Sequence, residues 1–161
     1  MTFFHHTAFL VEDLDAAIAH FEVTMGLKFR PPIVPGFPHL RDRYGYTGPG
    51  GTERITYSTA GPMYVELMEA QGNGIWSPRQ IGGVHHVGLF TSDVQELGLS
   101  LEAAGYEWEG EIRLPGGEIA GAYYLGGGLR YEILNATMHK SLMDWIEGRT
   151  AHPADVASYR S

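Results

Sequence analysis

The chain reads as an α+β protein made of two tandem βαβββ modules, and three observations predict this. One stretch occurs twice: His6 leads Thr7-Ala8-Phe9-Leu10-Val11-Glu12-Asp13, and His86 leads Val87-Gly88-Leu89-Phe90-Thr91-Ser92-Asp93, 80 residues later in a chain of 161. After each aspartate, apolar residues recur at helical spacing until a glycine closes the pattern. Each half then ends on a strand-like run with a glutamate between apolar neighbours, Val65-Glu66-Leu67 and Tyr131-Glu132-Ile133. Self-similarity at half the chain length is an internal duplication.

Taken in order, Thr7 to Val11 suits a strand buried on at least one face. Asp13 is an N-cap candidate for a helix with Leu14, Ile18, Phe21 and Met25 on one face, and Gly26 is its left-handed stop. Lys28 to Gly51 holds Pro31, Pro32, Pro35, Pro38 and Pro49 among several glycines, which predicts an irregular loop rather than a helix or central strand. It accounts for the longer first half, where His6 to Glu66 spans 60 residues against 46 from His86 to Glu132. Its Phe37, His39, Tyr44 and Tyr46 predict either a flap over a site or a stiff surface loop packed on the domain edge. Strands follow at Glu53 to Thr59 and Met63 to Met68.

Gln71 to Gly83 carries Gly72, Gly74, Pro78, Gly82 and Gly83 and reads as a linker. The second copy repeats the plan. Val87 to Thr91 is the strand, Asp93 the N-cap with Glu96 at capping-box spacing, and Val94, Leu97, Leu101 and Ala104 the stripe, closed by Gly105. Strands are predicted at Tyr106 to Arg113, Ala120 to Leu125 and Leu129 to Leu134, with Gly126-Gly127-Gly128 as a hairpin turn. The tail has a helical stripe of Met138, Leu142, Trp145 and Ile146, expected to pack on the sheet or on a subunit neighbour. The expected divisions are a first module at 1–70, a linker at 71–83, a second module at 84–136 and a helical tail at 137–161.

Composition narrows the function. Nineteen acidic against eleven basic residues give a net charge of −8, which argues against a nucleic-acid partner, since that needs a basic face. There is no cysteine, so a metal would have to be held by nitrogen and oxygen. No apolar run approaches the ~20 residues of a membrane-spanning helix. Met1 to Val11 lacks the basic start of a signal peptide, and the expected location is the cytoplasm.

The candidate site is His6, Glu66, His86 and Glu132. A buried carboxylate is costly unless paired, and Glu66 and Glu132 both sit in apolar segments. Two imidazoles and two carboxylates at repeat-equivalent positions remove that cost if they converge on a divalent cation. Strand alternation places His5 and His85 on the opposite face, in a structural role. Nitrogen and oxygen donors suit Zn, Ni, Co, Mn or Fe(II).

The repeated module, with histidine heading its first strand and glutamate in its fourth, resembles the vicinal oxygen chelate superfamily over residues 3 to 136. That group includes glyoxalase I, methylmalonyl-CoA epimerase, extradiol dioxygenases and bleomycin-resistance proteins. The resemblance implies the glyoxalase/bleomycin-resistance/dioxygenase fold with a cupped mixed sheet, His6, Glu66, His86 and Glu132 as metal ligands, and a homodimer. It also implies an isomerase or epimerase that removes a proton next to a metal-chelated carbonyl of a small organic substrate, with Glu132 as base and Glu66 as its partner. Three alternatives stand beside it. A glyoxalase I-type lyase usually shows Asp-Pro-Asp-Gly where this chain has Leu125-Gly126-Gly127-Gly128-Leu129. An extradiol dioxygenase uses two histidines and one carboxylate. A metal-free binding protein would usually lack the complete quartet.

Overall fold

A computed structural model describes residues 1–50 and 54–150. Gly51 of the expected flap and the tail beyond Thr150 lie outside the described residues. The elements are β1 (Thr2–Val11), α1 (Leu14–Met25), β2 (Phe37–Asp42), β3 (Thr47–Gly50), β4 (Ile55–Tyr57), β5 (Tyr64–Glu69), β6 (Val84–Thr91), α2 (Val94–Ala103), β7 (Glu107–Arg113), β8 (Ile119–Gly126), β9 (Leu129–Asn135) and α3 (His139–Ile146). The fold is α+β with one mixed sheet. None of these helices is long and apolar enough to cross a membrane.

Local sequence explains the helix ends. Asp13 accepts a hydrogen bond from the Ala16 amide at 2.9 Å, and Asp93 accepts one from Glu96 at 2.9 Å. Each cap is worth ~1 kcal/mol. Gly26 stops α1 with φ 67°, a conformation that costs glycine little. The capping box expected at Asp93 forms in one direction: the Asp93 amide donates to Thr91 Oγ1. Met25, placed on the apolar stripe, is exposed.

The sheet order is β3-β2-β7-β8-β9-β6-β1-β5-β4. At its centre β1 and β6 run antiparallel, with His6 opposite Gly88, Thr7 opposite Val87 and Ala8 opposite His86. An offset of 80 residues exchanges these pairs, so a local two-fold axis passes between Thr7 and Val87. β5 then adds parallel to β1, and β9 parallel to β6. This brings each glutamate strand beside the histidine strand of its own half.

The region from Lys28 to Gly51 departs from the expected irregular loop. Residues 37–50 form the β2–β3 hairpin, and β2 pairs with β7 of the other half, His39 opposite Arg113. Proline density misled here because β2 lies near the sheet edge, where a missing amide is tolerated. The crossing also fixes the shape of the sheet. Ile33 bridges to Ile55 beside β4, and four residues later Phe37 starts β2. Four residues reach at most ~14 Å, yet β2 and β4 are seven strand spacings apart, ~34 Å in a flat sheet. The sheet therefore curls into a deep cup.

Helix α2 packs on the outer face, with Val94 against Leu89, Ala122, Tyr124 and Ile133. Helix α3 lies on the inner face, where Trp145 meets Tyr57 edge-on at 6.0 Å and Ile146 joins the core. The stripe expected in the tail thus packs on the sheet. The Gln71 to Gly83 stretch does more than connect: Ile75 and Trp76 are buried in that core.

Candidate metal centre

Four side chains from four central strands converge on one point. His6 Nε2 lies 3.1 Å from His86 Nε2. Glu66 Oε2 is 3.3 Å from both nitrogens, and Glu132 Oε2 is 3.2 and 3.4 Å from them. All four residues are buried, and their donor atoms lie within 4.8 Å of one another. Edges of 3.1–3.4 Å are what donors about 2.0–2.2 Å from a shared centre subtend.

The hydrogen-bond network decides which way the lone pairs face. The Ile75 carbonyl can only accept, so His85 Nε2, 2.8 Å away, carries the proton. Burial, the neighbouring His86 and Arg130 push the His85 pKa down to about 3, so its Nδ1 is an acceptor. His86 Nδ1–H, at 2.9 Å, donates to it, so in the neutral imidazole Nε2 is the bare nitrogen, aimed into the centre. The first half repeats the relay. His5 Nε2 donates to the Met143 thioether at 3.4 Å, and His6 Nδ1–H donates to His5 Nδ1 at 3.0 Å. Burial and the neighbouring His6 hold His5 near pKa 3. Such relays orient metal-binding imidazoles.

With two lone pairs and two carboxylates facing one another, the cluster needs a positive charge. Glu66 Oε2 is buried without a hydrogen-bond partner as long as the imidazole nitrogens beside it are neutral and present lone pairs. Protons are one remedy. Burial opposes charging His6, yet hydrogen bonds to Glu132 and Glu66 outweigh it and raise its pKa to about 9. Burial likewise opposes the Glu66 anion, and the two histidines overcome that and depress it to about 2. A divalent cation is the other remedy, and the donor set fits one: its charge matches two carboxylates, and the imidazoles can ligate while neutral.

Two features escaped the sequence reading. The first is a pair of tyrosines. Tyr57 on β4 stands opposite Glu66, and Tyr123 on β8 stands opposite Glu132. Each precedes its glutamate by nine residues, a signal that aligning the two halves would have exposed. The Tyr123 hydroxyl donates a hydrogen bond to Glu132 Oε1. Burial, the charges of Glu66 and Glu132 and a hydrogen bond to Glu66 push the Tyr57 phenol well above its ordinary 10.

The second feature corrects the placement of His5 and His85 on the opposite face. The β1–β6 register skips one residue at His5 and, symmetrically, one at His85. A bulge suspends strict alternation, so both histidines of each doublet lie buried with their rings in contact, 5.2 Å between centroids. His5 and His85 support the two innermost histidines rather than pack behind the sheet. Arg130 adds to this support by donating to the His85 carbonyl at 3.3 Å while paired to buried Glu109.

A cavity of about 230 Å³ opens above Glu66 and Glu132. Ile112, Ala120 and Phe90 line its wall, and Pro35, Gly36 and Phe37 of the crossing segment border it together with Met138 and Leu142 at the start of α3. The region read as a possible flap therefore supplies part of the cavity rim.

Comparison with known proteins agrees with this architecture. No curated protein matches the sequence. Among solved structures, methylmalonyl-CoA epimerase from Streptomyces coelicolor superposes with a TM-score of 0.55 at 18% identity, covering 82% of this chain and 92% of that one. The Mycobacterium tuberculosis epimerase gives 0.52 at 16%, over 82% and 86%. A hypothetical protein from Bacillus halodurans gives 0.56 at 16%, over 83% and 94%. At these identities the likeness speaks for the fold. The family model described as Glyoxalase/Bleomycin resistance protein/Dioxygenase superfamily matches residues 5–123, and the chain belongs to that superfamily.

Proposed function

We propose that the protein is a metal-dependent isomerase or epimerase that removes a proton next to a carbonyl of a small organic substrate. One observation carries the reading: two imidazole nitrogens and two carboxylates converge at one buried point beneath an apolar cavity that Glu66 and Glu132 line. Their ligands would be His6, Glu66, His86 and Glu132. When bound, a divalent ion such as Zn, Ni, Co, Mn or Fe(II) supplies Lewis-acid polarisation of the substrate oxygens.

The chain's own groups do the rest. The cavity walls exclude water, which strengthens every charge interaction inside. Glu132 is the principal base and Glu66 its partner, so a proton taken from one face of the carbon can return on either. Tyr123 positions Glu132 through its hydrogen bond. That bond lowers the basicity of the carboxylate slightly and fixes where it points.

The Gly126-Gly127-Gly128 turn, where a glyoxalase I-type lyase usually shows Asp-Pro-Asp-Gly, supports an epimerase over a lyase. A second carboxylate among the donors weighs against the two-histidine, one-carboxylate dioxygenase. The apolar cavity is also what a metal-free binding protein would use, and the quartet weighs against that. The expected setting is a cytoplasmic homodimer, testable by light scattering and cell fractionation.

Two measurements test the proposal. Elemental analysis of protein purified without chelator should find about one divalent metal per chain, by the one donor set among the described residues. Incubation with candidate carbonyl compounds in deuterated water should place label on the carbon next to the carbonyl. Oxygen consumption with a catechol, and no exchange across the carbonyl panel, would replace the isomerase with a dioxygenase. Metal-free protein whose melting temperature ignores added Zn, Ni, Co or Mn would favour the binder.

A further inference from the structure

The charge inventory of the cavity narrows the substrate. Among the described residues that line it there is no lysine, arginine or aspartate. Its ionisable groups are the two carboxylates of the donor set and the phenols of Tyr57 and Tyr123. The hydroxyls of Thr137 and Ser141 sit at the mouth, where both residues are exposed. The volume, about 230 Å³, falls just below the ~300–1,000 Å³ typical of ligand clefts.

We infer that the substrate is a compact, uncharged carbonyl compound with an apolar body and no carboxylate or phosphate of its own. The inference rests on the carbonyl chemistry proposed above and goes beyond it by excluding charged substrates. Two glutamates, two neutral imidazoles and a divalent ion sum to zero. Proton abstraction keeps that sum: the C–H bond breaks, its proton neutralises one glutamate, and its electron pair leaves one negative charge on the substrate enolate. A neutral substrate thus keeps the cavity neutral at every stage.

An anionic substrate would bring a net negative charge into a space walled by Ile112, Leu134, Met68 and Phe90. Among the described residues no cationic side chain lines that space to offset the charge, and burying an uncompensated charge is expensive. The outer surface repeats the constraint. With a net charge of −8 the protein repels polyanions at a distance. Arg41, Arg54, Arg113 and Arg130 are already paired to Glu111, Asp15, Glu111 and Glu109.

The test uses alpha-hydroxypropiophenone and its para-carboxy derivative, a pair of matched shape. Binding to the metal-loaded protein is measured by calorimetry, and label uptake from deuterated water is followed separately. The neutral ketone should bind about tenfold tighter or better. Equal or tighter binding of the carboxylate overturns the inference. So does binding of neither compound at millimolar concentration, because a compact neutral aryl ketone is the class proposed. Selective binding of the neutral ketone without label uptake keeps the substrate class and removes the isomerase chemistry, so the two failures are distinguishable. Leu142→Arg at the cavity mouth supplies the missing cation and should close the gap between the two ligands about tenfold. An unchanged preference in that variant would show that charge is not what selects.

Discussion

The two halves of the candidate metal centre carry the same three kinds of residue, histidine, glutamate and tyrosine, and hold them differently. In the second half His85 is anchored by a backbone carbonyl at 2.8 Å, and Glu132 by the Tyr123 hydroxyl. In the first, His5 leans on the Met143 thioether at 3.4 Å, and Glu66, although hydrogen-bonded to Tyr57, keeps its Oε2 buried without a partner. A carbonyl belongs to the main chain and accepts strongly, whereas a thioether accepts weakly from a flexible side chain. The cluster is symmetric in residue type, and its contacts make the second half the more firmly held. The soft side is also the side that touches α3, so movement of that helix would be felt at His6 before His86.

The largest effect that could break this contrast is chemical. Glu132→Gln should retain much of the metal and lose ~10²–10⁴-fold in turnover, the range of a missing general base. Glu66→Gln should lose less. Deuterium wash-in under single-turnover conditions reads both, and equal losses would make the two carboxylates interchangeable.

Next come the ligands themselves. His6→Ala and His86→Ala should each reduce metal content and melting temperature together, because a ligand that binds only the native state stabilises it by mass action, ~4 kcal/mol at a thousandfold excess over Kd. Metal analysis alongside scanning calorimetry checks this. If either variant keeps full occupancy, that histidine is not a ligand.

The outer histidines sharpen the comparison. The bulges make them supports of the ligands, so replacing them should weaken metal affinity, by ~10–100-fold for a typical outer partner. His85→Ala should sit at the high end of that range and His5→Ala at the low end. Competition titrations with a chromogenic chelator would rank them, and the opposite order would remove the distinction between firm and soft halves.

The smallest effect is in pH dependence. Without metal, His6 has a pKa of about 9 against its ordinary 6.5. The stability it contributes is therefore present below pH 6.5 and lost as pH rises through about 9. Glu66, depressed from 4.5 to about 2, contributes stability above pH 4.5 that is lost as pH falls through about 2. Chelator-stripped protein should melt highest between pH 4.5 and 6.5. Metal-loaded protein should lack the alkaline decline, since ligating imidazoles are already unprotonated. Parallel melting curves would mean that His6 is protonated in both states.

The duplication shaped what could be read in advance. His6, Glu66, His86 and Glu132 were visible because each has a repeat-equivalent partner, and a feature that recurs cannot be dismissed as a lone buried histidine. Tyr57 and Tyr123 are equally repeated, but tyrosines in strands have an ordinary packing role that hides the signal. The misplacement of His5 and His85 has a different origin. A single-residue bulge carries no composition signal, so strict alternation along the sequence passes straight through it.

The sequence by itself determined the two modules, the helix caps at Asp13 and Asp93, the turn at Gly126-Gly127-Gly128 and the identity of the quartet. These are local or periodic properties, set by backbone preferences and by the spacing of apolar residues. Tertiary structure alone decided that β2 joins β7 of the other half, that Ile75 holds His85 through its carbonyl, and that Met143 reaches His5. Those contacts join residues 138, 70 or 10 positions apart. Their partners are a backbone carbonyl, a sheet edge and a thioether, groups that nearly every chain contains in many copies. Which copy is used depends on how the sheet curls, and that is settled only when the whole cup closes.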